Sequence, residues 1–319
     1  MAKKIWKHTI TIMAIEYSPI LVTGAHRSGT TWVGKMLAAD VNTAYISEPL
    51  NVLHRSGVFR APVRHWYTYI NAENESVYLP AFRELLNFEY HTWLEIKSIR
   101  SRRDFLRMGR DFHTFFIGSM RGQRALLKDP FAIYSTPWFA QALNCQIVIT
   151  IRHPAAFASS LKRLNWPFDF RDLLNQPMLM RDYLKADRTD MESIQPDDII
   201  SQSALLWRMI YRFVHSTRDL FPKFNMVRHE DLSLDPIAGY KALYESLGLT
   251  FSEKVKDTIL NSSSSENPRE LSKKKVHSVK LDSRANVDNW KKRLTSAEIN
   301  RIRKITESVS HWFYPDNEW

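Results

Sequence analysis

The clearest pattern in the chain is a series of short apolar runs, each followed by a polar turn and then by a segment with helical spacing. Residues 19–23 (PILVT) precede the helix-like segment 31–37, and residues 147–151 (IVITI) precede residues 155–163. Further short runs lie at 45–47, 125–127 and 224–227. Continuous apolar strands that alternate with helices are typical of a parallel sheet covered on both faces. The pattern therefore predicts an α/β fold with a central, mostly parallel sheet flanked by helices.

Two regions interrupt this alternation. Residues 55–125 are aromatic and basic, and between 93 and 128 nine Lys or Arg residues stand against three acids. This composition fits either a solvated helical face or a wall that faces an anionic substrate. Residues 262–284 begin with four consecutive serines, followed by a proline and three consecutive lysines, a composition typical of a mobile surface loop that closes over a ligand. No linker is evident, so residues 1–319 are predicted to form one domain.

Composition narrows the class of protein. The 319 residues are 44% hydrophobic and 25% charged, which excludes a disordered, collagenous or coiled-coil protein. The one cysteine, Cys145, excludes a disulfide framework and a cysteine-based zinc cluster. The net charge of +11 favours anionic partners. The apolar patch 9–15 is broken at Glu16 and lacks a cleavage site, so we expect a lead-in to the first strand and a cytoplasmic protein with neither signal peptide nor transmembrane segment.

The turn after the first predicted strand has the composition of an anion-binding loop. Residues 24–31 (GAHRSGTT) place two glycines five positions apart, directly before a helix. Such a loop lets backbone N–H groups and the positive end of the helix dipole surround a phosphate. The spacing matches the nucleotide-binding P-loop, except that Thr30 stands where that motif has lysine. A cation occurs earlier instead, at Arg27.

The strand at 147–151 differs in an informative way from its counterpart in NTP-hydrolysing proteins. Those proteins end a later strand with an aspartate that helps to hold Mg²⁺. Here the run ends in Arg152, and Ser160 follows eight residues later on the next predicted helix. An arginine and a serine so placed can grip a second phosphate. The loops together predict a pocket for a doubly anionic nucleotide, without a metal.

At this point the sequence resembles a known family, the sulfotransferases that use 3′-phosphoadenosine 5′-phosphosulfate (PAPS). Residues 27–32 (RSGTTW) resemble their 5′-phosphosulfate loop, and residues 152–160 resemble their 3′-phosphate motif. Residues 227–236 (VRHEDLSLDP) are similar to the segment that follows a later strand in this family, although the family more often has tyrosine at the position of His229. Residues 290–295 (WKKRLT) resemble the C-terminal tryptophan segment. The resemblance implies a P-loop-like three-layer fold in which 55–125 is a helical insertion on the acceptor side.

The same resemblance implies a role for each of several residues. It assigns donor binding to His26, Arg27, Ser28, Gly29, Thr30, Thr31, Trp32, Arg152, Ser160 and Arg284. Two of these are open to another interpretation: His26 stands where the family has proline and is equally suited to packing, and Trp32 is suited either to stacking on adenine or to the core. The match at Arg284 is looser, because the family's Arg-Lys-Gly run does not follow it.

The acceptor hydroxyl needs a base, and Glu48 is the first candidate for it. Residues 45–47 are predicted as a second strand, and the Glu48-Pro49-Leu50 segment that follows resembles one in carbohydrate sulfotransferases. Pairing of Glu48 with a nearby arginine is the other interpretation. Other candidates for the base are His26, His54, His113 and His153.

Two further residues complete the predicted catalytic set. The segment Lys128-Asp129-Pro130 resembles a Lys-x-Pro element of the family. Three interpretations of Lys128 are open: contact with the transferring sulfonate, pairing in the neighbourhood of Asp129, or exposure to solvent. Arg27 is expected to stabilise charge in the transition state.

The resemblance also implies the reaction and its partners. It implies transfer of the sulfuryl group of PAPS to a hydroxyl, on a carbohydrate, glycoconjugate or lipid, with no metal and no specific nucleic acid. A P-loop kinase or NTPase and a non-enzymatic polyanion-binding protein remain the alternatives.

Overall fold

Five parallel strands form the centre of the protein. The computed structural model describes residues 18–220, 224–270 and 279–319. The strands are β1 Ile20–Gly24, β2 Thr43–Ser47, β3 Arg124–Lys128, β4 Gln146–Ile151 and β5 Phe224–Arg228. They lie in the order β2-β3-β1-β4-β5, and each neighbouring pair is parallel. The predicted α/β fold with a central parallel sheet is confirmed.

Helices connect and cover these strands. In chain order they are α1 Thr30–Leu37, α2 Glu75–Leu86, α3 Thr92–Ser98, α4 Arg102–Arg121, α5 Thr136–Ala142, α6 Pro154–Leu164, α7 Arg171–Leu174, α8 Pro177–Leu179, α9 Arg188–Ser193, α10 Ile199–Thr217, α11 His229–Leu234, α12 Pro236–Leu247, α13 Glu253–Ser263, α14 Ser283–Asn286, α15 Asn289–Arg293 and α16 Ser296–Ser310. Short 3₁₀ or π turns lie at Pro130–Ser135, Met180–Leu184, Lys185–Asp187, Arg218–Leu220 and Asp316–Glu318. None of the described helices is long and apolar enough to cross a membrane.

The two faces of the sheet are buried against different helices. Side chains alternate along a strand, so Leu21 and Ile147 point into one apolar cluster while Val22 and Val148 point into another. The second cluster joins α1, α12 and α13 to the sheet, and the first is filled by aromatic side chains on the opposite side. Burial on both faces explains why the strands read as continuous apolar runs.

The carboxyl ends of the strands meet along one edge of the sheet. Gly24 pairs with Thr150, Ser47 with Lys128, and Ile151 with Arg228. The segments that begin at residues 25, 48, 129 and 152 therefore leave the sheet beside one another. In open parallel sheets a ligand binds outside this edge, at the point where the strand order reverses.

The two irregular regions have specific structures. Residues 75–121 of the insertion are mostly helical, in α2, α3 and α4. Of the segment 262–284, Ser262 and Ser263 end α13 and Ser283 begins α14, so its two ends are helical. Residues 271–278 lie outside the described residues, as does the N-terminal patch 9–15.

Candidate active site

The loop between β1 and α1 wraps around the start of the helix. Gly29 has φ 99°, a left-handed conformation that glycine adopts without strain, and a Cβ there would lie 2.5 Å from Cδ2 of His229. Ser28 is fully buried: its hydroxyl donates to the Ala25 carbonyl at 2.5 Å and lies 2.8 Å from Thr150 Oγ1. Ser28 thus shapes the loop, and the amides at the start of α1 are left facing a cavity.

Two arginines and a serine meet beside this loop. Arg27 Nε donates to Ser160 Oγ at 3.3 Å, and Arg152 Nη1 donates to the Arg27 carbonyl at 3.1 Å. The Nε atom of Arg152 is buried and has no hydrogen-bond partner among the described residues. Burial, with Arg152 and Arg163 nearby, lowers the pKa of Arg27 to about 10. The cluster is therefore arranged for an anion, which would relieve the repulsion between its cations.

We call the space next to this cluster the nucleotide cavity, after the ligand that the sequence predicts there. Its lining contains further residues that the sequence analysis did not name. Its lining includes Arg27, Gly29, Thr30, Thr31, Trp32, Arg152, Ser160, Arg163, His229, Ser262, Glu270 and Arg293. Arg163 lies one helical turn beyond Ser160, a spacing that places both on one face of α6. Arg293 belongs to the WKKR run of the tryptophan segment. Both arginines could therefore have been identified from the sequence, Arg163 by its spacing from Ser160 and Arg293 by its motif.

Trp32 packs in the core and also borders the nucleotide cavity, and its stacking on adenine stays a prediction. It is 9% exposed and lines the nucleotide cavity. Its indole N–H donates to Ser262 Oγ at 2.9 Å, and its ring packs edge-on against Tyr240 at 5.4 Å. Arg284, in contrast, is exposed and donates to the Leu234 carbonyl at 2.7 Å, and it is absent from the cavity lining.

A second cavity of about 480 Å³, here called the acceptor cavity, adjoins the first. Arg27, Thr30 and Thr31 line both cavities. The other residues of the acceptor cavity are His26, Glu48, Asn51, Trp66, Pro130, Phe131, Trp166, Pro167, Phe168, Asp169 and Asp172. Arg27 thus stands at the junction of the two spaces.

Glu48 is held at the wall of the acceptor cavity. Its backbone is left-handed, with φ 52°, and its N–H donates to the Lys128 carbonyl at 2.8 Å. Asn51 Nδ2 donates to Glu48 Oε2 at 2.7 Å, and Lys128 Nζ forms an ion pair with Oε1. Lys128 is buried and does not line either cavity, so its contact is with Glu48 rather than with the neighbourhood of Asp129 or with solvent.

His26 faces the acceptor cavity and not the nucleotide cavity. The Tyr67 hydroxyl accepts from the His26 backbone N–H at 3.2 Å and lies 2.5 Å from His26 Nδ1. Burial, followed by the charge of Arg27, lowers the pKa of His26 to about 4, so the ring is neutral. A neutral imidazole carries its hydrogen on Nδ1 or on Nε2, and the Tyr67 hydroxyl can pair with Nδ1 in either tautomer.

The other histidines are less well placed to act as a base. His153 is buried between Trp290 and Trp319, and burial lowers its pKa to about 3. His113 is exposed on α4, and His54 bonds to the Asn51 carbonyl at 3.0 Å. Neither His54 nor His113 lines the acceptor cavity. Among the described residues, no group of three or more His, Cys, Asp or Glu is placed to hold a metal ion.

Comparisons with known proteins agree on one family. A sequence model of the sulfotransferase family matches residues 19–253. Carbohydrate sulfotransferase 1 of Danio rerio is 25% identical over 200 residues, a match that spans 61% of this chain and 41% of the relative. The chain therefore aligns with less than half of that relative's length.

The comparison with solved structures matches the chain to a sulfotransferase domain from the curacin biosynthetic pathway and to a sulfotransferase of Mycobacterium avium. The first is 16% identical, covers 90% of this chain and 96% of that chain, and has a TM-score of 0.44. The second is 13% identical, covers 98% of this chain and 80% of that chain, and has a TM-score of 0.46.

Proposed function

This chain belongs to the sulfotransferase family, and we propose that it transfers the sulfuryl group of PAPS to a hydroxyl on a carbohydrate or glycoconjugate. The observation that carries the proposal is the position of Arg27, which lines both cavities and contacts Ser160. A group transferred from one cavity to the other passes this guanidinium, where positioned positive charge stabilises a transition state whose negative charge is spread.

The nucleotide cavity fits a donor with two separate anionic groups. The amides at the start of α1, with Thr30 and Thr31, would hold the 5′-phosphosulfate. Arg152 and Ser160 would hold the 3′-phosphate, for which the unpartnered Nε of Arg152 is a ready donor. Arg163 and Arg293 add positive charge to the same cavity, which is partly balanced by Glu270 at 3.4 and 2.7 Å.

Glu48 is the proposed general base. It accepts the proton of the acceptor hydroxyl while the hydroxyl oxygen bonds to sulfur and the bond from sulfur to the phosphate oxygen breaks. Lys128 and Asn51 hold the carboxylate in position, so we propose a positioning role for Lys128 in place of direct contact with the sulfonate. The products are a sulfate ester and 3′-phosphoadenosine 5′-phosphate.

The side chains that line the acceptor cavity favour a carbohydrate as the acceptor. Trp66, Phe131 and Trp166 offer aromatic faces, and Asp169 and Asp172 offer carboxylate oxygens to hydroxyl donors. His26 also lines this cavity and offers a ring nitrogen to a hydroxyl. The similarity to a carbohydrate sulfotransferase points to the same acceptor class.

The donor assignment is tested by thermal shift in the presence of EDTA. We expect 3′-phosphoadenosine 5′-phosphate to raise Tm well above the value with ADP or AMP at equal concentration, because a ligand stabilises in proportion to RT ln(1 + [L]/Kd). A shift that requires Mg²⁺ and favours ATP would indicate a kinase. A shift with any polyanion that vanishes with added salt would indicate nonspecific charge binding.

The acceptor assignment is tested by transfer of labelled sulfate from PAPS. Glycans, phenols and lipids are offered in parallel to the same enzyme. We expect labelled product with glycans, and incorporation into phenols alone would overturn the carbohydrate assignment while leaving the donor assignment intact.

A further inference from the structure

The insertion helix α4 exposes a set of large apolar side chains that neither cavity uses. Phe105, Leu106, Phe112, Phe116 and Met120 are 60%, 71%, 47%, 50% and 68% exposed. The rings of Phe112 and Phe116 stack with centroids 6.1 Å apart. Soluble surfaces carry isolated exposed apolar residues, whereas a contiguous set marks an interaction site.

The opposite side of α4 is already occupied by the protein. Phe115 is buried against Phe88 and Tyr90, and Gly118 packs closely on Phe88. Arg55 ties the helix to its neighbour α3, since it pairs with Asp111 of α4 and with Glu95 of α3. The apolar stripe is therefore a fixed feature of the surface and not the core-facing side of a loosely held helix.

Positive charge lies on another exposed face of α4. Arg103, Arg107 and Arg110 follow one another at helical spacing, on a face about 160° around the axis from Phe105 and its neighbours. Residues 97–121 contain seven Lys or Arg against two acids, a net charge of +5. Some of this charge is engaged, because Arg107 lies 3.8 Å from Asp104 and Arg110 lies 2.8 Å from Asp111. None of these cations lines either cavity, so they do not form the wall for an anionic substrate that the sequence allowed.

We propose that the exposed part of α4, with Phe105, Phe112, Phe116 and Met120 on one face and the arginines on another, docks on an anionic lipid surface. A helix with aromatic side chains on one face and arginines on another is the arrangement that lies in a membrane interface. The rings enter the acyl boundary and the arginines attract anionic headgroups. The charge argues against a second copy of the chain, because a twofold contact would bring two such +5 segments together.

The test is co-sedimentation of the purified protein with vesicles of phosphatidylcholine, alone or mixed with phosphatidylserine. We expect binding to the mixed vesicles, weak binding to phosphatidylcholine alone, and weakening by added salt. The double variant Phe112→Ser/Phe116→Ser should lower the partition coefficient about tenfold for each ring removed. Arg103→Gln/Arg107→Gln should lower it about fivefold for each charge.

Matched controls carry the same changes elsewhere on the surface. Val77→Ser/Leu260→Ser removes apolar groups of 49% and 44% exposure, and Lys241→Gln/Lys254→Gln removes two exposed charges. Both controls should bind vesicles as the parent does, and circular dichroism checks that every variant is folded.

Three outcomes would overturn the proposal. The first is an absence of binding to mixed vesicles. The second is a loss of vesicle binding in the control variants as large as that in the α4 variants. The same conclusion, that only net charge is recognised, would follow if the α4 variants lost binding to soluble polyglutamate as strongly as binding to vesicles. The third is a concentration-dependent dimer that the phenylalanine variant abolishes while vesicle binding is unchanged, which would assign the face to a second copy. Because no assay here measures sulfuryl transfer, these outcomes are independent of the proposed function.

Discussion

At the scale of single residues, the catalytic proposal depends on how Glu48 is held. A non-glycine residue in the left-handed region costs of order 1–3 kcal/mol, and it persists where surrounding contacts hold it. Here those contacts are the Glu48 N–H bond to the Lys128 carbonyl and the side-chain bonds to Lys128 and Asn51. The carboxylate is therefore aimed before an acceptor arrives.

Replacing Glu48 by glutamine tests whether this carboxylate is the base. Glu48→Gln keeps the shape but cannot take a proton, so we expect kcat to fall by about 10²–10⁴-fold. Nucleotide affinity, measured by calorimetry, should change by less than about threefold, or ~0.7 kcal/mol. Glu84→Gln, which alters a carboxylate outside both cavities, serves as control. A nearly unchanged kcat across pH would remove Glu48 from the mechanism, and a parallel loss of nucleotide affinity would make it structural.

A second prediction at this scale concerns the assignment of Arg152 to the 3′-phosphate. Arg152→Ala removes a charge-assisted contact worth ~1.5–3 kcal/mol, so affinity for 3′-phosphoadenosine 5′-phosphate should fall about 10- to 150-fold. Affinity for AMP, which lacks the 3′ group, should fall much less. Arg284→Ala is the control, because this arginine is exposed and outside the nucleotide cavity. Equal losses for the two nucleotides would contradict the assignment of Arg152 to the 3′-phosphate.

At the scale of elements, α11 and the C-terminal segment fix the turn that carries Arg152. Glu230 of α11 accepts from the His153 N–H at 3.0 Å and from the Tyr314 hydroxyl at 2.8 Å. Trp319 packs against His153, with ring centroids 4.6 Å apart. Residues far apart in sequence thus hold the start of α6, so changes there should reach the nucleotide cavity.

Tyr314→Phe tests this connection. The change leaves one buried oxygen of Glu230 without its donor, and we expect it to lower the free energy of unfolding by about 1–3 kcal/mol in urea titrations. Nucleotide affinity should also fall. The matched control is Tyr240→Phe, whose buried hydroxyl has no hydrogen-bond partner among the described residues, so its removal should cost little. Similar losses in both variants would show that the bond to Glu230 contributes no specific stability.

At the scale of the whole molecule, three buried histidines make stability depend on pH. Burial lowers the pKa of His26 to about 4, of His153 to about 3, and of His229 well below its usual value. Below about pH 6.5 the unfolded chain binds protons at these positions that the folded protein does not. The folded state should therefore lose stability as pH falls from about 6.5 towards 4.

His153→Asn measures one part of this effect. Each histidine contributes a slope of up to about 1.4 kcal/mol per pH unit in that range, and the variant should lose one such contribution. The measurement is the free energy of unfolding at several pH values. Loss of ring packing should lower stability at every pH, so the slope and not the absolute value decides. An unchanged slope would mean that His153 titrates normally in the folded protein.

The sequence by itself determined the strands of the sheet and the glycine-containing loop before α1. Strands buried on both faces must be apolar throughout, so β1, β3 and β4 were visible as runs. Glycine spacing and the following helix depend on local geometry, so the loop at 24–31 was visible too. The placement of Arg152 and Ser160 at one cavity depends on one turn and one helix, so it was equally local. The cytoplasmic location stays a prediction.

Only the tertiary structure decided how these residues are divided between two cavities. His26 lies two residues after Gly24, yet it faces the acceptor side because Tyr67, 41 positions later, holds its ring. Lys128 pairs with Glu48 because β2 and β3 are neighbours in register. Arg284 faces outward, although the tryptophan segment beside it supplies Arg293 to the nucleotide cavity. Such contacts join segments that are far apart in the sequence and meet only in the folded protein. The local sequence around one residue therefore does not identify the residue that it contacts.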